Sequence, residues 1–198
     1  MQNIHYPIDM TFKITTLSND FIAKDSTGAT IAYTKQKLFK LKEKVTVFAD
    51  EQQQQELFFI NADKWLDFNT SYKFSNTQSN NLGRIARKGW KSLWKTEYEI
   101  YDENDHKDLI IREENVWIKI LDGFFVGIPI IGMFSGYIFN PKYNIIRTDG
   151  TLIAQIRKEQ SFFGRRFKLL KITEFEEGQE ERILLGTMMM TLLERRKG

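Results

Sequence analysis

Apolar and polar residues alternate along most of this chain with the period of a half-buried strand. Met10, Phe12 and Ile14 take every second position near the start. Phe21 to Asp25 begins another strand, Asp25 and Gly28 make a turn, and Ile31 to Thr34 runs back. Val45 to Phe48 leads to Asp50, a polar stretch (EQQQQE) follows, and Leu57 to Ile60 is a further strand. The same plan returns around Ile85 and around Ile153. Each unit has a strand, a turn, a second strand carrying Ile-Ala (31–32, 85–86, 153–154), a basic segment with aromatics, and a return strand. Asp149-Gly150 between apolar runs is a strong hairpin signal. Gly83 lies two residues before Ile85, whereas Gly28 and Gly150 lie three before their isoleucines, so the second unit is divergent. Antiparallel hairpins at this spacing predict an all-β sandwich or barrel.

Two segments leave this pattern. Residues 123–139 (GFFVGIPIIGMFSGYIF) carry no charge. The run is short for a membrane span of about 20 apolar residues. Its four glycines and one proline suit a soluble helix interior poorly. Buried connecting chain, or an apolar loop touching a membrane surface, is expected. The second break is the C-terminus, where Ile183 to Leu193 is uncharged and apolar on every side. That marks a buried helix, expected over 180–196. Glu180 and Glu181 at its start and Arg195, Arg196 and Lys197 at its end complement the helix dipole. Gly186, Thr187 and Thr191 would let strands come close, and Met188, Met189 and Met190 can fill irregular gaps.

Composition narrows the reading. At 198 residues, with 41% apolar residues and only three prolines, the chain reads as one domain over 1–198, with 1–9 a disordered end. There is no cysteine and no basic-then-apolar leader, which fits a reducing, cytoplasmic setting. The net charge of +3 hides strong local bias. Residues 102–108 and 174–181 are acidic, while 35–44, 84–95 and 157–171 hold sixteen of the 29 lysines and arginines.

No reaction is legible. No glycine-rich phosphate loop occurs. His5 and His106 are the only imidazoles, so no cofactor and no metal centre is expected. Asp102, Asn104, His106 and Asp108 alternate like a calcium loop. Lys107 stands at the sixth position, where that loop needs glycine, so a polar hairpin turn is expected instead. Glu113 and Glu114 are neighbours on a strand and face opposite ways. What remains is cations beside aromatics: Lys35, Lys37 and Lys40; Arg84, Arg87, Lys88 and Lys91 around Trp90 and Trp94; and Arg165 and Arg166 after Phe162 and Phe163. That mixture suits an anionic lipid surface, with aromatics at the interface. It also suits nucleic acid, through phosphate contacts and base stacking.

The chain resembles the tubby-like superfamily, and within it the LURP-one-related and phospholipid scramblase-like branch. The resemblance rests on IAYTKQKLFKLKEKVTVFAD at 31–50, LGRIARKGWKSLWKTEYEIYDEN at 82–104, IPIIGMFSGYIFNPKYNIIRTDGTLIAQIRK at 128–158, and the hydrophobic final helix. It implies a mainly β fold: a closed antiparallel barrel of about twelve strands enclosing that helix. Within the superfamily, tubby domains bind phosphoinositides and scramblases are associated with lipid movement and calcium. This chain lacks the cysteine-rich segment of many animal scramblases, and its apolar run precedes the third unit. Neither fits lipid scrambling. The combined expectation is a non-catalytic barrel that meets anionic phospholipid head groups, peripheral to the membrane. The alternatives are a nucleic-acid-binding module and an enzyme with an unrecognised site.

Overall fold

Strand alternation closes on itself. In the computed structural model, which describes residues 4–14, 18–37, 44–63, 71–87, 97–114, 142–159 and 164–194, twelve strands form a closed antiparallel barrel. They are β1 (Ile8–Ile14), β2 (Ser18–Lys24), β3 (Thr30–Lys37), β4 (Val45–Phe48), β5 (Glu56–Asp63) and β6 (Ser71–Asn76), then β7 (Asn81–Arg87), β8 (Glu97–Tyr101), β9 (Lys107–Glu113), β10 (Lys142–Arg147), β11 (Leu152–Glu159) and β12 (Gly164–Lys171). Each strand pairs with its sequence neighbours, and β1 closes the ring on β12 through Ile8↔Leu169 and Met10↔Phe167. Closure leaves no unpaired sheet edge.

One face of every strand is apolar and points in. Met10, Phe12, Phe21, Ile60, Phe74, Ile100, Leu109, Ile111 and Ile145 are all at most 1% exposed. They surround helix α1 (Gln179–Glu194). Ile183, Leu184, Leu185, Met188, Met189, Met190 and Leu192 are buried on all sides of it, each side chain stabilising the core by about 2 kcal/mol. Gly186 leaves room for this packing. A Cβ there would sit 2.6 Å from Ile100 Cδ1, so a larger residue would have to push the end of the Ile100 side chain aside. The expected central helix is thus present, and its described extent ends at Glu194. Arg195, Arg196 and Lys197 lie outside the described residues, as do 123–139.

The N-terminus differs from expectation. Ile8 and Asp9 belong to β1, and Tyr6 packs edge-on against Phe175, 5.6 Å between ring centroids. Its hydroxyl donates to Glu180. Burial and the neighbouring Glu180 carboxylate push that hydroxyl's pKa far up. The apolar pattern of Ile4, Tyr6 and Ile8 anchors the segment against the barrel.

Because the barrel is an up-and-down meander, its connections alternate between two ends. At one end lie the turns 25–29, 49–55, 77–80, 102–106 and 148–151, together with 172–178, which leads into α1. We call this the entry end. The five turns share one construction: a tight turn closed by a residue in the left-handed region. That residue is Gly28, Gln53, Ser79, Asp105 or Gly150, with φ between 61° and 92°. Asp25, Asp50, Asn76 and Asp102 open four of these turns and cap them with their side chains. In the fifth, Asp149 accepts from the Thr151 amide. The expected polar turn at 102–106 is one of the set: Asp102 Oδ1 accepts from the Asn104 and His106 amides, 2.9 and 2.8 Å.

Candidate functional site

The strands that bound 15–17, 38–44, 64–70, 88–96, 114–141 and 160–163 all terminate at the other end of the barrel, which we call the far end. The sequence of these six connections contains eight lysines against Glu43, Asp67, Glu114 and Asp122, and all four tryptophans of the chain. The six connections of the entry end contain ten carboxylates: Asp25, Asp50, Glu51, Asp102, Glu103, Asp105, Asp149, Glu174, Glu176 and Glu177. They contain no lysine or arginine. The barrel therefore separates charge along its axis.

The basic residues singled out in the sequence fall into three groups. Lys40, Lys88, Trp90, Lys91 and Trp94 lie outside the described residues. Lys35 and Lys37 in β3, Arg87 in β7, and Arg165 and Arg166 in β12 are strand residues rather than loop residues. They lie in the strand portions toward the far end. Lys35 and Arg166 are exposed. Arg87 is half-buried, and its Nε has no hydrogen-bond partner among the described residues. Arg84 stands apart. It lies on the outer wall of β7, facing the entry end.

Around Arg84 the wall forms a groove of about 360 Å³, lined by Ser71, Lys73, Asn81, Gly83, Arg84, Asp102 and Asp105. Arg84 Nε donates to Asp105 Oδ1 at 2.6 Å, and its guanidinium lies 3.7 Å from the Tyr101 ring centroid. The Arg84 hydrogen bond holds the Asp105 carboxyl below the usual range. Asn81 is fixed at both ends of its amide, donating to Glu103 O and accepting from the Gly83 amide. Gly83 has φ +114°, and a Cβ there would strike the Tyr101 carbonyl.

At the mouth of the entry end, Arg182 is the charge that the sequence reading passed over. It is 6% exposed, in the first turn of α1 just before the buried apolar run that starts at Ile183. Its Nε donates to Asp108 Oδ2 at 2.9 Å and its Nη1 to Glu103 Oε2 at 3.0 Å. Gln179 Nε2 donates to the other Asp108 oxygen. Arg147, at the end of β10, binds the 172–178 connection and the helix start through Glu176, the Glu174 carbonyl and Gln179. Asp108, read in the sequence beside a calcium-like alternation, is thus a partner of Arg182. Among the described residues no group of three or more His, Asp or Glu is arranged to hold a metal ion. No described helix is long and apolar enough to cross a membrane.

A signal for Arg182 was present. A cation entering a buried helix requires carboxylate partners, and the sequence offers two acidic runs for it, 102–108 and 174–181. Lys73 was missed because it lies outside the three basic segments.

A family model described as LURP-one-related matches residues 30–174. No curated protein and no solved structure matches the chain.

Proposed function

The chain belongs to the LURP-one-related family, within the tubby-like superfamily, and we propose that its barrel recognises anionic phospholipid head groups at a membrane surface without catalysing a reaction. One observation carries this reading. Strands leading into the three basic segments end at the same end of the barrel, and the opposite end carries the carboxylates. Lys35, Lys37, Lys40, Arg87, Lys88, Lys91, Arg165 and Arg166 supply the cations. Trp90 and Trp94 supply aromatic rings suited to the interface. In this reading 1–198 acts as one domain, cytoplasmic and peripheral to the membrane. The family and the barrel fit a binding role better than a catalytic one.

Vesicle co-sedimentation tests it. Each lysine or arginine near an anionic surface adds about 1 kcal/mol. Replacing Arg87, Lys88 and Lys91 with Glu should therefore lower partitioning onto phosphatidylserine vesicles by about a hundredfold or more. Binding should weaken with added salt, and circular dichroism should be unchanged. Indifference of the parent protein to anionic vesicles at low salt sinks the reading. Binding to a single-stranded oligonucleotide in that case would favour nucleic acid.

A further inference from the structure

The groove around Arg84 lies away from the far end, and the lipid-surface reading does not use it. Its chemistry is specific. Lys73 and Arg84 are direct cross-strand partners on the outer face of β6 and β7. Like charges placed directly opposite each other repel across a sheet pair, and an anion that reaches both relieves that repulsion. Asp105 supplies one such charge, through Arg84 Nε. It does so from a turn tip: its side chain is 69% exposed, and its backbone is left-handed at φ 67°. Asp102, the other carboxylate at the groove, is already committed to the Asn104 and His106 amides and lies 3.5 Å from His106 Nδ1. Arg84 is preorganised, with its plane held against Tyr101. Ser71 brings a hydroxyl to the same space. The volume is that of a small-molecule site.

We propose that this groove binds a phosphate monoester, held by Lys73, Arg84 and the Ser71 hydroxyl, which displaces the Asp105 carboxylate from Arg84. The charge count selects the ligand class. Asp105 is a tethered monoanion, and a short tether gives it an effective concentration of about millimolar or above. A carboxylate or phosphodiester, also singly charged, competes poorly with it. A monoester carries nearly two charges and three acceptor oxygens near neutral pH. It can take Arg84 bidentately and still reach Lys73. Asp105 then sets the threshold for occupancy.

Amide and arginine side-chain NMR of the full chain, titrated with glycerol phosphate and separately with inorganic phosphate, tests the site without any membrane. Shifts should centre on Ser71, Gly83, Arg84 and Asp105. Arg84→Gln and Lys73→Gln should each weaken binding about tenfold or more. Asp105→Asn keeps a residue that tolerates the left-handed backbone and should tighten binding several-fold. Vesicles containing phosphatidic acid, compared with phosphatidylserine, form the second arm. Monoester binding seen only on phosphatidic acid, and lost in Lys73→Gln, assigns the group to a lipid. Binding in free solution assigns it to a soluble ligand. The proposal is overturned if no monoester shifts these resonances, if binding survives both cation substitutions, or if Asp105→Asn weakens it. Loss of vesicle binding alone bears on the far end and leaves this test intact.

Discussion

The two ends of this barrel solve the same problem, joining antiparallel strands, in different ways. At the entry end the joints are short and built by side chains. Asp25, Asp50, Asn76 and Asp102 each fold their own turn, and Arg147, Gln179 and Arg182 bind the helix start to it. At the far end the connections are more varied in length, reaching the 28 residues of 114–141, and rich in lysine and tryptophan. Under the proposed function, the contrast separates construction from recognition. Carboxylates engaged by amides and arginines define structure. The far-end connections carry eight lysines in their sequence, and a surface of one sign attracts partners of the other.

The first way to break the comparison is to remove the core that both ends share. Leu185 is fully buried in α1. Leu185→Asp places an unpaired charge there, a penalty of at least several kcal/mol. No cooperative thermal transition should remain by circular dichroism. A parent-like melt would refute the central-helix packing.

Arg182→Ala sharpens the comparison, because it acts on the entry end alone. It takes the counter-charge from Asp108, only 16% exposed on its side chain and left with its Gln179 hydrogen bond, and it frees Glu103. Removing one partner of such a buried pair costs about 3 kcal/mol. Chemical denaturation should show that loss, while partitioning onto anionic vesicles stays as in the parent. A matching loss of both would mean the two ends are not separable.

The smallest effect is expected from the turns, and it depends on pH. The Thr27 hydroxyl, with the Thr27 and Ala29 amides, holds Asp25 below the usual carboxylate range. A depressed folded pKa means that stabilisation is complete above the unfolded value of about 3.9 and is lost as pH falls through the lower folded value. The stability difference between the parent and Asp25→Ala should be flat from pH 5 to 7, a window about one unit above that value. It should shrink on acidification below it. A difference that grows on acidification would contradict the assignment.

Much of the fold was legible because a barrel repeats one rule, apolar in and polar out, that a two-residue period displays directly. The helix was legible for the complementary reason: a segment apolar all round has to be enclosed. The repeat itself was misaligned. Ala32 and Ala154 belong to the inner core, whereas in the second unit Ile85 packs inward against the helix. The residue four past the left-handed turn position is Ala32 after Gly28, Ala154 after Gly150, and Gly83 after Ser79. Matching Ile-Ala pairs slid the second unit by a few residues, and a one-residue slip already reverses a strand's faces. The better ruler was Asp25, Asp50, Asn76 and Asp102, spaced 25 or 26 residues apart. The site was legible only in part. Charge runs are visible in a sequence, but Lys73 and Arg84 meet through strand register, which no local pattern encodes.

The separation of the two ends is tested most directly by labelling, since the chain has no cysteine of its own. Glu159→Cys marks the strand end at the far end, and Thr77→Cys marks an exposed turn at the entry end. Each variant carries one environment-sensitive dye and is mixed with phosphatidylserine vesicles containing a bilayer-embedded quencher. The dye at position 159 should be quenched in a salt-dependent way, and the dye at position 77 should remain unquenched. Quenching at 77 alone, or equal quenching at both, would contradict a barrel that meets the membrane with its basic end.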